Sequence, residues 1–332
     1  MSGAPDTGTA PAATAGTTLG EHTAGQLRRL GGIAGLSHQD TESYARALAE
    51  TLGATAERPL ALPPPSSTFL SDDHTPVEFS LAFRPGAPPT LRVLVDPGCA
   101  AGGLAEGGRT GLAVVRGMAH RWTFPTAQLE ALEDLFFPRD PRGPLALWYA
   151  WELRPGGVPR VKVYLNPGAR GPEPAAATVR EALERLGHRR AFEALPPADG
   201  HPFLALDLGD WEAPRVKVYL RHDGLSAAEA PGLNRMAPAA PPDGRVAGAP
   251  DGGVEDFLRI AAGRPPRSAD PAPHAPRLTG RPALTCHSFT DTAVGAPSGF
   301  TLHVPVRDYV PHDAEAHTRA RTLLRRLGID GT

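Results

Sequence analysis

Two segments of this chain are nearly the same: PRVKVYLNPG (159–168) and PRVKVYLRHDG (214–224). Each alternates apolar and polar residues with a period of two, the signature of a β-strand with two unlike faces. LRVLVDPG (91–98) and TLHVPVRD (301–308) share the pattern. One face of the four carries Val161, Val163 and Leu165; Val216, Val218 and Leu220; Leu91, Val93 and Val95; and Leu302, Val304 and Val306. The other carries Lys162 and Tyr164, Lys217 and Tyr219, Arg92 and Leu94, and Thr301 and His303. Repetition of this kind constrains the fold more than any other feature of the chain.

Each segment follows another strand candidate: PVEFSLAF (76–83), LALWYAWEL (145–153), HPFLALDLG (201–209) and ALTCHSFTD (283–291). The repeating unit is therefore a β-hairpin, four times over. Amphipathic, helix-forming stretches lie between the hairpins at 22–52, 126–137, 174–187, 253–262 and 312–327. Residues 226–252 and 263–282 are rich in Pro, Gly and Ala and are expected to be loops, as is the Gly-rich run GCAAGGLAEGG (98–108). The first 20 residues are expected to be a disordered lead, with 21–332 forming a single domain.

Helices must cover one face of such a sheet, and the apolar face is the one they need. The Lys/Tyr/Arg/His face then points the other way and lines an interior if the sheet closes. Buried Lys and Arg are costly unless an anion meets them. Lys162, Lys217 and Arg92, joined by Arg215 and capped by Tyr164 and Tyr219, suit a diphosphate. On one strand a Lys/Tyr face would more often be solvated surface; its repetition on two strands favours the interior. Glu78 falls on the same face by alternation. It is either a counterion to these cations or an acceptor for an aromatic N–H.

Other chemistries find little support. The formal net charge of -2 does not favour nucleic acid as a partner. The chain has no Walker loop, GxGxxG, HExxH or GxSxG motif, and Asp72-Asp73-His74 lacks the later Asp of an aspartate-rich magnesium motif. Cys99 and Cys286 are expected to be ordinary reduced thiols. No apolar run reaches the ~20 residues of a membrane helix and the start is not a signal peptide, so a cytoplasmic protein is expected.

These segments resemble the aromatic prenyltransferases of the α-β-β-α (ABBA) fold, in particular the bacterial indole prenyltransferases of the dimethylallyltryptophan synthase type. PVEFSLAF, LRVLVDPG, ALWYAWELRPGGVPRVKVYLNPGARG, WEAPRVKVYLRHDGLS and PALTCHSFTD…GFTLHVPVRDYV carry the resemblance over about residues 70–328. The resemblance implies an α+β fold, an antiparallel barrel built of ααββ repeats inside a ring of helices. It implies transfer of a dimethylallyl group from dimethylallyl diphosphate to an indole, tryptophan or a tryptophan-containing molecule, in secondary metabolism, with no cofactor and no essential Mg2+. Glu78 matches the glutamate that contacts the indole N–H. Arg92, Lys162, Tyr164, Arg215, Lys217 and Tyr219 match positions that bind the diphosphate and shield the allyl cation. Thr301 and His303 fall among the same substrate-binding positions, and Tyr149 lies near a position that takes the ring proton. Members of the family usually close the barrel with a fifth strand pair, whereas this chain stops at RTLLRRLGIDGT. The barrel is thus expected to be incomplete, with open edges: either two copies pair through them as a homodimer, or the isolated chain is poorly active and releases hydrolysed prenyl alcohol. A phenolic acceptor, or a non-catalytic role as a binding partner, are the alternatives.

Overall fold

The computed structural model of the protein describes residues 16–66, 68–211, 214–236, 253–266 and 277–329. Eight strands occur in chain order: β1 (Val77–Arg84), β2 (Ala87–Val95), β3 (Leu147–Glu152), β4 (Arg160–Leu165), β5 (Gly200–Leu208), β6 (Val216–His222), β7 (Ala283–Phe289) and β8 (Gly299–His303). Each pairs antiparallel with its sequence neighbours, giving a single sheet of order β1 to β8. All four expected hairpins are present. Among the described residues no ladder joins β1 to β8, so the sheet is an open barrel.

The helices are α1 (Leu19–Ile33), α2 (His38–Leu52), α3 (Leu104–Trp122), the single turns α4 (Ala127–Glu130) and α5 (Glu133–Phe136), α6 (Ala175–Arg185), α7 (Gly253–Ala261) and α8 (Asp313–Arg326). Two helices precede the first hairpin, as an ααββ repeat requires, but α6 and α7 stand alone before the third and fourth among the described residues. The stretch 22–52 is two helices because Gly35, at φ 72°, turns the chain and the Ser37 hydroxyl caps α2 by accepting from the Asp40 N–H at 3.1 Å. Helical structure begins inside the expected N-terminal lead. Thr18 and Glu21 form a capping box at the start of α1: the Thr18 hydroxyl accepts from the Glu21 N–H at 3.2 Å, and Glu21 accepts from the Thr18 N–H at 2.9 Å. The rest of that lead, 1–15, lies outside the described residues, as do parts of the two expected loops, 237–252 and 267–276.

Two further expectations fail. The Gly-rich run 98–108 is not all loop, because α3 starts at Leu104. Its Gly107, Gly108 and Gly111 are buried. A Cβ on Gly108 would stand 2.9 Å from the Phe137 ring, and one on Gly111 would stand 3.1 Å from Leu147. The glycines let α3 lie close against β3, and burial offsets their poor helix propensity. The second failure is the end of β8. Pro305 has no N–H to give a ladder, so the strand stops at His303 and Val306–Tyr309 forms a 3-10 turn. Val306 is therefore not on a strand face, whereas Val304 still packs into a small satellite cluster with Leu302 and Leu278.

The main core lies between sheet and helices. Val77, Leu91, Val93, Val95, Val161, Val163, Leu165, Val216, Val218 and Leu220 form one buried cluster with Tyr44 and Leu48 of α2, Leu112 and Val115 of α3, and Val179 of α6. The opposite face buries side chains too: Lys162 is 8% exposed, Tyr219 7%, Trp148 6% and Cys286 3%. A flat sheet would leave that face in water, so its burial follows from the curl. Ion pairs link the two ends of the curl. Asp72, ahead of β1, meets Arg281 ahead of β7 at 2.6 Å and Arg307 after β8 at 2.5 Å.

Candidate functional site

The concave face is assembled by alternation within strands and register between them. Lys162 stands opposite Asp207, Tyr164 opposite Ala205, Arg92 opposite Glu152, Ser80 opposite Arg92, Tyr219 opposite Cys286, and Thr301 opposite Cys286 on its other side. Arg92, Lys162, Tyr164, Arg215, Lys217, Tyr219, Thr301, His303 and Glu78 therefore all belong to this face. Tyr149 does not. It shares the helix side of β3 with Leu147 and Trp151, is fully buried, and donates its hydroxyl to Thr51 at 2.6 Å. Burial drives its hydroxyl far above the usual phenol range. Segment 145–153 is apolar on both faces, so its alternation is hard to see; the concave positions are Trp148, Ala150 and Glu152.

The cationic half of the face contains two carboxylates that alternation in the repeated strands did not reveal. Glu152 accepts from Arg92 at 3.0 Å and from Arg160 at 3.3 Å. Burial opposes its charge, but these guanidiniums hold its carboxyl below the usual range. Asp207 accepts from Arg215 Nε at 2.7 Å and lies 3.5 Å from Lys162 Nζ. One Asp207 oxygen, Oδ1, makes no hydrogen bond. Burial and the adjacent charge of Lys217 push Lys162 down to about 7, with Asp207 pulling the other way. Arg92 and Arg160 pair with Glu152, Lys162 and Arg215 pair with Asp207, and Lys217 lies beside Lys162, leaving a formal surplus of three positive charges in a partly buried basin when all five are protonated. Such a surplus is relieved by an anion.

Aromatic rings form the next rung. Tyr164 and Tyr219 are two residues along their strands from Lys162 and Lys217, roughly 6.6 Å at the usual strand rise. Their ring centroids are 5.8 Å apart. Phe203 meets Tyr219 at 5.7 Å and Tyr164 at 6.3 Å, both edge to face, and Trp148 meets Phe203 at 5.6 Å. His303 lies 5.7 Å from Tyr219. Burial and the charge of Lys217 push the imidazole down to about 4, so it is neutral at pH 7. Burial pushes the Tyr164 hydroxyl up to about 12. The tyrosines are thus neutral rings beside a cluster of cations, with π-faces suited to a second, transient cation.

Glu78 lies on β1 with its register partner Leu94. The residue is exposed to solvent although protein lies around its carboxyl. Burial, reinforced by the charge of Asp72, raises its carboxyl above the usual range. Among the described residues there is no group of three or more His, Cys, Asp or Glu placed to hold a metal ion. No described helix is long and apolar enough to cross a membrane.

Residues 36–332 match the family described as tryptophan dimethylallyltransferase. The chain is 61% identical to prenyltransferase PriB, solved with L-tryptophan and dimethylallyl thiolodiphosphate; the match covers 94% of this chain and 84% of that one, with a TM-score of 0.86. It is 58% identical to the 5-dimethylallyl tryptophan synthase of Streptomyces coelicolor, solved with DMASPP and Trp, over 95% of this chain and 83% of that one, with a TM-score of 0.85. It is 34% identical to the 6-dimethylallyltryptophan synthase of Micromonospora olivasterospora, over 94% and 85%, with a TM-score of 0.79. On the family match and these relatives, the chain belongs to the tryptophan dimethylallyltransferase family and is an aromatic prenyltransferase.

Proposed function

We infer that the concave face transfers a dimethylallyl group from dimethylallyl diphosphate to the indole ring of tryptophan, with no metal required. The observation that carries this reading is the surplus of three positive charges one rung from an aromatic cage. An ester diphosphate brings about three negative charges near pH 7. Side chains alone can thus balance the leaving group. Arg92, Lys162, Arg215 and Lys217 hold the diphosphate, joined by Arg160. The bond between the allylic C1 and the diphosphate oxygen breaks, and its electron pair leaves with the oxygen. Tyr164, Tyr219 and Phe203 flank the allyl cation that remains. Glu78 accepts a hydrogen bond from the indole N–H and feeds electron density into the ring. A ring carbon attacks C1, and the proton on that carbon passes to the released diphosphate, which restores aromaticity. Thr301 and His303 line the donor side of the same space. Tyr149, on the far face of the sheet, is not placed to take the proton. A cytoplasmic location belongs to the same reading, since both substrates are small and water-borne.

The test is to incubate the purified protein with L-tryptophan and dimethylallyl diphosphate in excess EDTA and to look for product by mass. The expected outcome is prenylated tryptophan at a rate that chelator does not abolish. Activity lost in chelator and restored by magnesium would overturn the metal-free assignment. Absence of product under both conditions would overturn the reaction itself.

A further inference from the structure

Trp211 lies in the turn between β5 and β6, outside every periodic pattern in the sequence. Its indole is nonetheless shared by three cations of the site. The Arg215 guanidinium is 4.8 Å from the ring centroid, and Arg160 and Lys162 Nζ are each 5.2 Å away. The ring is pinned in place. Its Nε1–H donates to the Val161 carbonyl at 2.9 Å and to the Leu208 carbonyl at 3.0 Å. Those bonds fasten it to β4 and β5 beside the point where Arg160 and Lys162 leave the sheet.

Glu152 holds Arg92 and Arg160, and Asp207 holds Arg215 and Lys162. Lys162 still feels the charge of Lys217, and like charges in one basin push apart. A third carboxylate would hold them but would also cancel charge that a diphosphate needs. An aromatic face attracts cations through its quadrupole and leaves their charge uncancelled. We propose that Trp211 is a positioning residue for diphosphate binding, its indole gathering Arg160, Lys162 and Arg215 into an anion site formed before substrate arrives. This rests on the reading that these cations take the diphosphate. It predicts that the ring governs donor affinity and leaves the acceptor untouched.

The experiment compares Trp211→Leu, Trp211→Phe and Lys217→Ala with the parent enzyme. It measures the Kd of dimethylallyl thiolodiphosphate by calorimetry and the KM of each substrate. Trp211→Leu should weaken the thiolodiphosphate by about 10- to 100-fold, the product of several modest cation–π contacts. The KM for tryptophan should stay within about twofold. Trp211→Phe keeps a π-face and loses the N–H bonds, so it should recover a substantial part of the lost affinity. Should Trp211→Leu fail to fold, Trp211→Met against Trp211→Phe makes the same comparison. The proposal is overturned if Lys217→Ala weakens thiolodiphosphate binding while Trp211→Leu does not, or if Trp211→Phe is as impaired as Trp211→Leu. If Lys217→Ala also binds normally, the diphosphate reading falls and the proposal falls with it.

Discussion

At the scale of single residues, the site depends on groups whose charge state is set by their surroundings. Among the described residues Glu152 and Asp207 pair with arginines and a lysine, whereas Glu78 makes no such ion pair and can meet an indole N–H. Glu78→Gln keeps the shape and weakens acceptance. A fall in kcat of roughly 10²-fold is expected, comparable to loss of a positioned charge-stabilising group. Donor Kd should change little; a Gln variant that turns over at the parent rate would make Glu78 a mere counterion. Lys162 gives a prediction with a definite sign. Its ammonium is pushed down to about 7 in the free protein, and a diphosphate beside it restores the charged form. Binding at pH 8 should therefore take up protons, and donor affinity should fall as pH rises above about 7. Calorimetry of the thiolodiphosphate in buffers of different ionisation heat measures the uptake. Lys162→Met should largely abolish it, and uptake that persists in that variant would assign the proton elsewhere.

At the scale of elements, the hairpins hold their register because each is apolar on one face, and a slip of one residue would turn Val161, Val163 and Leu165 into the concavity. The approach of α3 depends on glycine. A Cβ added to Gly98 would stand 2.7 Å from the Gly107 Cα, a backbone atom that cannot swing aside. Gly117, in the same helix, is exposed and has nothing within 4 Å of an added Cβ. Gly98→Ala should destabilise by about 1–3 kcal/mol, as overpacked sites do. Gly117→Ala should stabilise by about 0.5–1 kcal/mol through helix propensity. Urea melts of the two variants test the pair, and equal effects would mean that α3 does not seat on the loop through its glycines.

At the scale of the molecule, β1 and β8 each lack a ladder partner on one side among the described residues. The PriB chain is longer, and this chain spans 84% of it. Edge strands with unpaired N–H and C=O groups invite pairing with another chain. We accordingly propose a homodimer with twofold symmetry formed through these edges. Sedimentation velocity should show a dimer, accompanied by little prenyl alcohol in the product mixture, since water exclusion protects the allyl cation. A monomer that prenylates tryptophan efficiently would show that the Asp72 ion pairs to Arg281 and Arg307 close the curl well enough by themselves.

Much of this was legible in the chain itself. A period of two is a local steric consequence of the pleat, so the repeated VKVYL segments specified strands, faces and the side on which Arg92, Lys162, Tyr164, Arg215, Lys217 and Tyr219 stand. What the periodicity could not convey is which residue lies opposite which. Glu152 and Asp207 meet their cations through register between strands, and Trp211 reaches three of them from a turn that has no period. Tyr149 was named from the family resemblance and not from the alternation of its strand, which puts it with Leu147 and Trp151 on the helix side, where it donates to Thr51 of α2. The run 98–108 looks like a loop because glycine disfavours helices; only the contact of α3 with β3 shows that bare helix surface is what those positions require. Local alternation follows from backbone geometry, whereas the partners of a buried charge follow from segments far apart in the chain that the fold alone brings together.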